Sequence, residues 1–175
     1  MRMTWRAGVP AVLCAALLAA GCSSNSGGSG QVPRTLPTTG SFTLDPSLQQ
    51  KLAAQYLAIA RPANERLEDA NDGFEDDQKD NLRAAVSDLR SETATERSFD
   101  QRLLQINFPP PIAAIAADIV RANNVRIKLT DLQARSRTLA QLRGFDSMHT
   151  AADAAVEVPV RAIRKALGLP SPSTS

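Results

Sequence analysis

From residue 45 onward the apolar residues fall three or four positions apart. Leu52, Tyr56, Ile59, Ala63, Leu67, Ala70 and Phe74 recur at spacings of 4, 3, 4, 4, 3 and 4. An α-helix turns once in 3.6 residues, so this spacing keeps one stripe on one face for about six turns; a strand would need alternation at every second residue. Asp45-Pro46 supplies a side-chain cap followed by a proline whose missing N–H costs nothing in the first turn. Asn71-Asp72-Gly73 reads as the stop. Pro62 removes one backbone bond and crowds the carbonyl of Ala58, yet the stripe keeps its phase across it. The expectation is one kinked helix.

Three more stripes follow. Leu82, Val86, Leu89, Phe99, Leu103 and Ile106 define a second helix over residues 77–107, polar in its middle at "SETATER", residues 91–97. The three prolines at 109–111 then end it, because consecutive prolines cannot continue a helix and hold the preceding residue extended. They could also form an extended docking segment, but between two helices a rigid turn is the simpler account. A third helix carries Ile112, Ile115, Ile119, Ala122, Val125, Leu129, Leu132 and Leu139 and closes at Arg143-Gly144. A fourth, capped by Asp146 or Thr150, uses Met148, Ala152, Val156, Val160, Ile163 and Leu167, with Pro159 interrupting it as Pro62 does the first. Short connections make consecutive helices antiparallel neighbours. The expected fold is all-α, an antiparallel up-down-up-down four-helix bundle with kinked helices over residues 45–169.

The residues before the bundle are of another kind. Residues 1–6 hold two arginines and no acid, and residues 7–20 are apolar apart from Gly8 and Pro10. That run is shorter than the roughly 20 residues a membrane-crossing helix needs, and has the layout of a secretory signal. Leu18-Ala19-Ala20-Gly21-Cys22 then resembles the lipobox of bacterial lipoproteins, with Ala19 where the common form has Leu. The resemblance covers the first 22 residues only. It implies a signal peptide at 1–21, a diacylglycerol on Cys22, and a protein anchored by lipid at the extracytoplasmic face of a cell membrane. Arginine far outnumbers lysine, which fits a high-GC bacterium of actinobacterial type. Residues 22–44, rich in Ser, Gly, Thr and Pro, read as a flexible spacer, and residues 170–175 as a frayed tail.

Cleavage before Cys22 changes the charge. Of 20 basic residues Arg2 and Arg6 depart with the signal, so 18 bases face 18 acids. A neutral chain with few aromatic residues lacks the basic footprint of a nucleic-acid binder. Cys14 leaves as well and Cys22 carries the lipid, so no disulfide forms within the chain and stability rests on the core.

Candidate sites are few. Residues 69–80, "DANDGFEDDQKD", resemble a calcium loop until Gly73 is aligned with the loop's glycine: Ala70 then takes a ligand position and Lys79 that of the bidentate glutamate. The six acids from Glu68 to Asp77 instead suggest a closed tip, matched by Arg135, Arg137 and Arg143 at the end of the third helix. His149 is the single histidine, so neither a di-metal site nor a hydrolase triad can be assembled with the residues that usually accompany it; it reads as a cap or a surface group. One constellation remains. Folding the helices about their loops brings Tyr56 level with Glu92 and Thr95, and these level with Asn123 and Arg126. Tyr56, Glu92, Glu96, Asn123 and Arg126 could line a pocket for a polar ligand, or form an ion-pair layer that fixes register.

The sequence therefore leads to a lipid-anchored, non-enzymatic envelope protein whose helical domain acts as an interaction or scaffold domain. It needs no metal or cofactor, and its partners are the membrane through Cys22 and another envelope protein. The alternative is an extracytoplasmic module holding a small ligand at the mid-bundle polar layer.

Overall fold

The computed structural model describes residues 44–171, and every regular element among them is an α-helix. Cys22, the signal segment and nearly all of the spacer lie outside the described residues, as does most of the tail. The elements are α1 (Pro46–Asp77), α2 (Leu82–Leu103), α3 (Pro110–Gln133), the short α4 (Leu139–Arg143) and α5 (Asp146–Ala166). Pairs of helices pack in chain order: α1 along α2, α2 along α3, α3 along α5. No described helix is long and apolar enough to cross a membrane.

Helix α1 begins as its sequence dictates. The Asp45 carboxylate accepts from the backbone N–H of Ser47 at 2.9 Å and of Leu48 at 3.3 Å, with Pro46 in the first turn. Those hydrogen bonds hold the Asp45 carboxyl below its ordinary pKa. Pro62 lies inside α1 and Pro159 inside α5, and both helices run on through them. At the other end of the chain, Gly168 adopts φ 68°, a left-handed conformation that lets Leu169 N–H reach back to the Arg164 carbonyl at 2.8 Å and stop α5. The Gln49 side chain donates to the Ala166 carbonyl at 3.2 Å, tying the first turn of α1 to the last turn of α5.

Several boundaries differ from expectation. Asn71-Asp72-Gly73 does not end α1, which continues to Asp77. Phe74 is buried against Ala85 and Leu89 of α2, and that contact holds the extra turn in register. Gly73 serves close packing instead, since a Cβ there would sit 3.2 Å from the Asp88 carboxylate. Helix α2 starts only at Leu82, where Asn81 caps it by accepting from Ala84 N–H at 3.2 Å, and ends at Leu103. The third helix breaks after Gln133. Thr138 starts a new helix by accepting from Gln141 N–H at 3.2 Å, while the Gln141 side chain accepts from Arg137 N–H at 2.9 Å. The Gln133 amide then pins α4 back by donating to the Leu142 carbonyl at 2.8 Å. Neither Asp146 nor Thr150 caps α5: Asp146 is its first residue, and the Thr150 hydroxyl donates back to the Asp146 carbonyl at 3.1 Å.

The buried apolar side chains form two clusters. One lies at the end where α1 begins and draws on all four long helices, with Leu52, Tyr56 and Ile59 meeting Leu103, Ile119 and Ile163. The other lies at the far end and holds Phe74, Ala85, Leu89, Ala134 and Leu142. Val125, Leu132 and Met148, expected in the core, are instead exposed at 61%, 53% and 46%.

Candidate functional site

Glu92, Glu96 and Asp100 fall at successive four-residue steps of α2 and so share one face of it. Asn123 and Arg126 meet that face from α3, and Asp153 approaches from α5. The Arg126 guanidinium is the hub. Its Nη2 pairs with Oε1 of Glu96 and lies 3.9 Å from Oε1 of Glu92, while Nη1 donates to Oδ1 of Asp153 at 3.1 Å. Glu96 is 1% exposed and the Arg126 side chain 13%, so the central pair is taken out of water. A carboxylate buried to that degree requires a cation, because its lost hydration has no other substitute.

One turn further along α2, Asp100 is buried as well. The Asn123 side chain donates to its Oδ1 at 2.7 Å. Burial pushes the Asp100 pKa up to about 6, and the hydrogen bond from Asn123 opposes that shift.

The structure thus brings together Glu92, Glu96, Asn123 and Arg126 and adds Asp100 and Asp153. Tyr56 is not part of this group. Its ring is buried in the cluster at the α1-start end, edge-on to Phe99 with centroids 6.4 Å apart and planes at 79°. Burial raises the Tyr56 pKa, and the positive charge of Arg164 works against the rise. The two missed carboxylates were visible in principle. Asp100 continues the Glu92–Glu96 spacing by one more step, and Asp153 sits four residues beyond His149 on the helix destined to cover α3. His149, expected as a cap or surface group, is buried inside α5.

The acidic tip is organised differently from expectation. Residues 68–77 are helical, so they cannot wrap a cation as a loop does. None of Arg135, Arg137 and Arg143 pairs with the acids from Glu68 to Asp77 among the described residues. The base that does is Lys79, inside the turn, whose Nζ lies 2.9 Å from Oδ1 of Asp76. That pairing lowers the Asp76 pKa and raises that of Lys79. Asp88 is held above its ordinary range by burial and by the neighbouring Asp77 carboxyl. The arginines fail to reach because α3 stops ten residues before Arg143 and α4 starts a new direction.

An open groove of about 550 Å³ lies elsewhere, between α3 and α5, lined by Ile115, Ala122 and Val125 on one side and Ala155, Val158 and Ala162 on the other. None of the five candidate ligand residues lines it. No family model matches the chain, and neither curated proteins nor solved structures include a significant match.

Proposed function

We propose that this chain is a lipid-anchored protein of the bacterial cell envelope, held at the extracytoplasmic face of the membrane by a lipid on Cys22, with a helical domain that serves as an interaction or scaffold module and not as an enzyme. The anchoring rests on the order of segments from the basic start through the short apolar run to Ala19-Ala20-Gly21-Cys22. The scaffold role rests on one observation: the charged groups at the centre of the domain are occupied with one another. Arg126 is shared by Glu92, Glu96 and Asp153, and Asp100 accepts from Asn123. A catalytic carboxylate has to reach a reactant, and a ligand site has to offer unused donors in a space that fits the ligand. A cross-braced layer of this kind suits the fixing of helix register.

We also infer that the four long helices run up-down-up-down and bend at Pro62 and Pro159. The pairings of Tyr56 with Phe99, Gly73 with Asp88, Asp100 with Asn123 and Arg126 with Asp153 support opposite directions for each neighbouring pair, because rising numbers on one helix meet falling numbers on the next. A proline inside a helix removes a backbone bond, which favours a bend there.

Fractionation of cells expressing the full chain tests the anchor. Cys22→Ser is expected to shift the protein from the membrane to the soluble fraction while the melting temperature of its helical domain stays unchanged. Continued sedimentation of Cys22→Ser with membranes would remove the anchoring from the proposal.

A further inference from the structure

Helix α3 is apolar on two sides. Ile112, Ala116, Ile119 and Ile127 face the interior and are buried. A second series, Ile115, Ala122, Val125, Leu129 and Leu132, runs at spacings of 7, 3, 4 and 3 along the outward side. A helix face this apolar normally has something packed on it. Here it is bare: Val125 is 61% and Leu132 53% exposed, and Val158, facing Val125 across the groove from α5, is 60% exposed. The α5 wall is made of small residues, Ala155 and Ala162 beside Pro159, which allow another helix to come close.

We propose that this face of α3 and α5 is the contact surface between two copies of the chain. The charges on the groove select that occupant. Its ionisable lining residues are Asp118 and Arg121, one acid and one base a single turn apart on α3, exposed and paired with each other. A partner of strong single-sign charge would set one of them against a like charge. A second copy related by a two-fold axis brings Arg121 to Asp118 and Asp118 to Arg121, and its own Val125 ridge to the alanine-lined wall. The inference rests on the helical domain being an interaction module and is independent of the lipid on Cys22.

The test is the mass of the full chain in non-ionic detergent across a dilution series, by sedimentation equilibrium. The expected result is a dimer that dissociates on dilution. Val125→Glu and Val158→Glu should each weaken it by at least about tenfold without lowering the melting temperature, since both side chains are already in solvent. Asp118→Arg should also weaken it, and the exchange Asp118→Arg with Arg121→Asp should restore it. A monomer at every concentration overturns the proposal, as does a dimer that ignores both glutamate substitutions. Association seen in the parent chain and lost in Cys22→Ser would assign it to the shared micelle and overturn the proposal too. Anchoring is read by fractionation and dimerisation by mass, so the two fail separately.

Discussion

The two ends of the domain are built from the same helices and are not equally well made. At the end where α1 starts, all four long helices contribute, and branched or long side chains such as Leu103, Ile112, Ile119 and Ile163 fill the centre. At the far end two of the five buried residues are alanines, α5 contributes none, and the one-turn α4 supplies Leu142. Burial free energy scales with apolar area, about 25 cal/mol per Å², so the first end carries most of the stability. The second end is held in place more by specific hydrogen bonds, such as Gln133 to Leu142 and the Thr138 cap, than by area. Between them lies the Arg126 layer, which separates a global core from a local one.

Deleting equally buried leucines should make that asymmetry visible. Leu103→Ala at the first end should cost about 4 kcal/mol of global stability, the range for a large cavity that cannot collapse. Leu142→Ala should cost less, about 2 kcal/mol, and should mainly loosen residues around α4. Chemical denaturation gives the first number, and hydrogen exchange resolves where protection is lost. Equal global losses would erase the distinction between the two ends.

The layer between them is the next place to press. Arg126→Met leaves Glu96 buried without a cation and should destabilise by about 3 kcal/mol at neutral pH. Adding Glu96→Leu to Arg126→Met should recover most of the loss, because an apolar pair of similar volume needs no desolvation. A double variant as unstable as the single one would show that the layer contributes through packing shape and not through charge.

The smallest effect is a pH dependence. The folded-state pKa of Asp100 is raised from 3.8 to about 6. The folded chain therefore takes up a proton on Asp100 at higher pH than the unfolded chain does. Its contribution to stability rises as pH falls through about 6 and levels off below 3.8, a gain on the order of 2 kcal/mol. Asp76 and Asp45, whose pKa values are lowered, act in the opposite sense below that window and lose their small contributions in acid. Asp100→Asn should flatten the rise between pH 7 and pH 5 in thermal melts and leave the rest of the profile unchanged.

What could be read in the sequence follows the same division. The α1 stripe was legible because six of its seven positions lie against a continuous core; its only half-buried member is Leu67. The stripe on α3 was legible as helix and misleading as core. Periodicity detects an apolar face but not which face, and Val125 and Leu132 belong to the outward one. The break before α4 was missed although Thr138-Leu139-Ala140-Gln141 carries the spacing of a helix start, because the apolar phase continues through it to Leu139. At the polar layer, Glu96 and Arg126 were found from helix levels alone. Tyr56 was misplaced because level along the bundle says nothing about rotation about a helix axis, and that rotation turns its ring toward Phe99.

The bond from Gln49 to the Ala166 carbonyl puts the two ends of the folded domain side by side. A domain whose ends nearly touch can be spliced into a loop of another protein, or have those ends joined and new ones opened at an existing turn, with little change in its internal contacts. The turn between α2 and α3, with Leu104 and Gln105 in solvent, is the natural place for such an opening. The linear order of α1 to α5 is then one of several orders in which these helices could be strung, and the packing does not depend on which of them comes first.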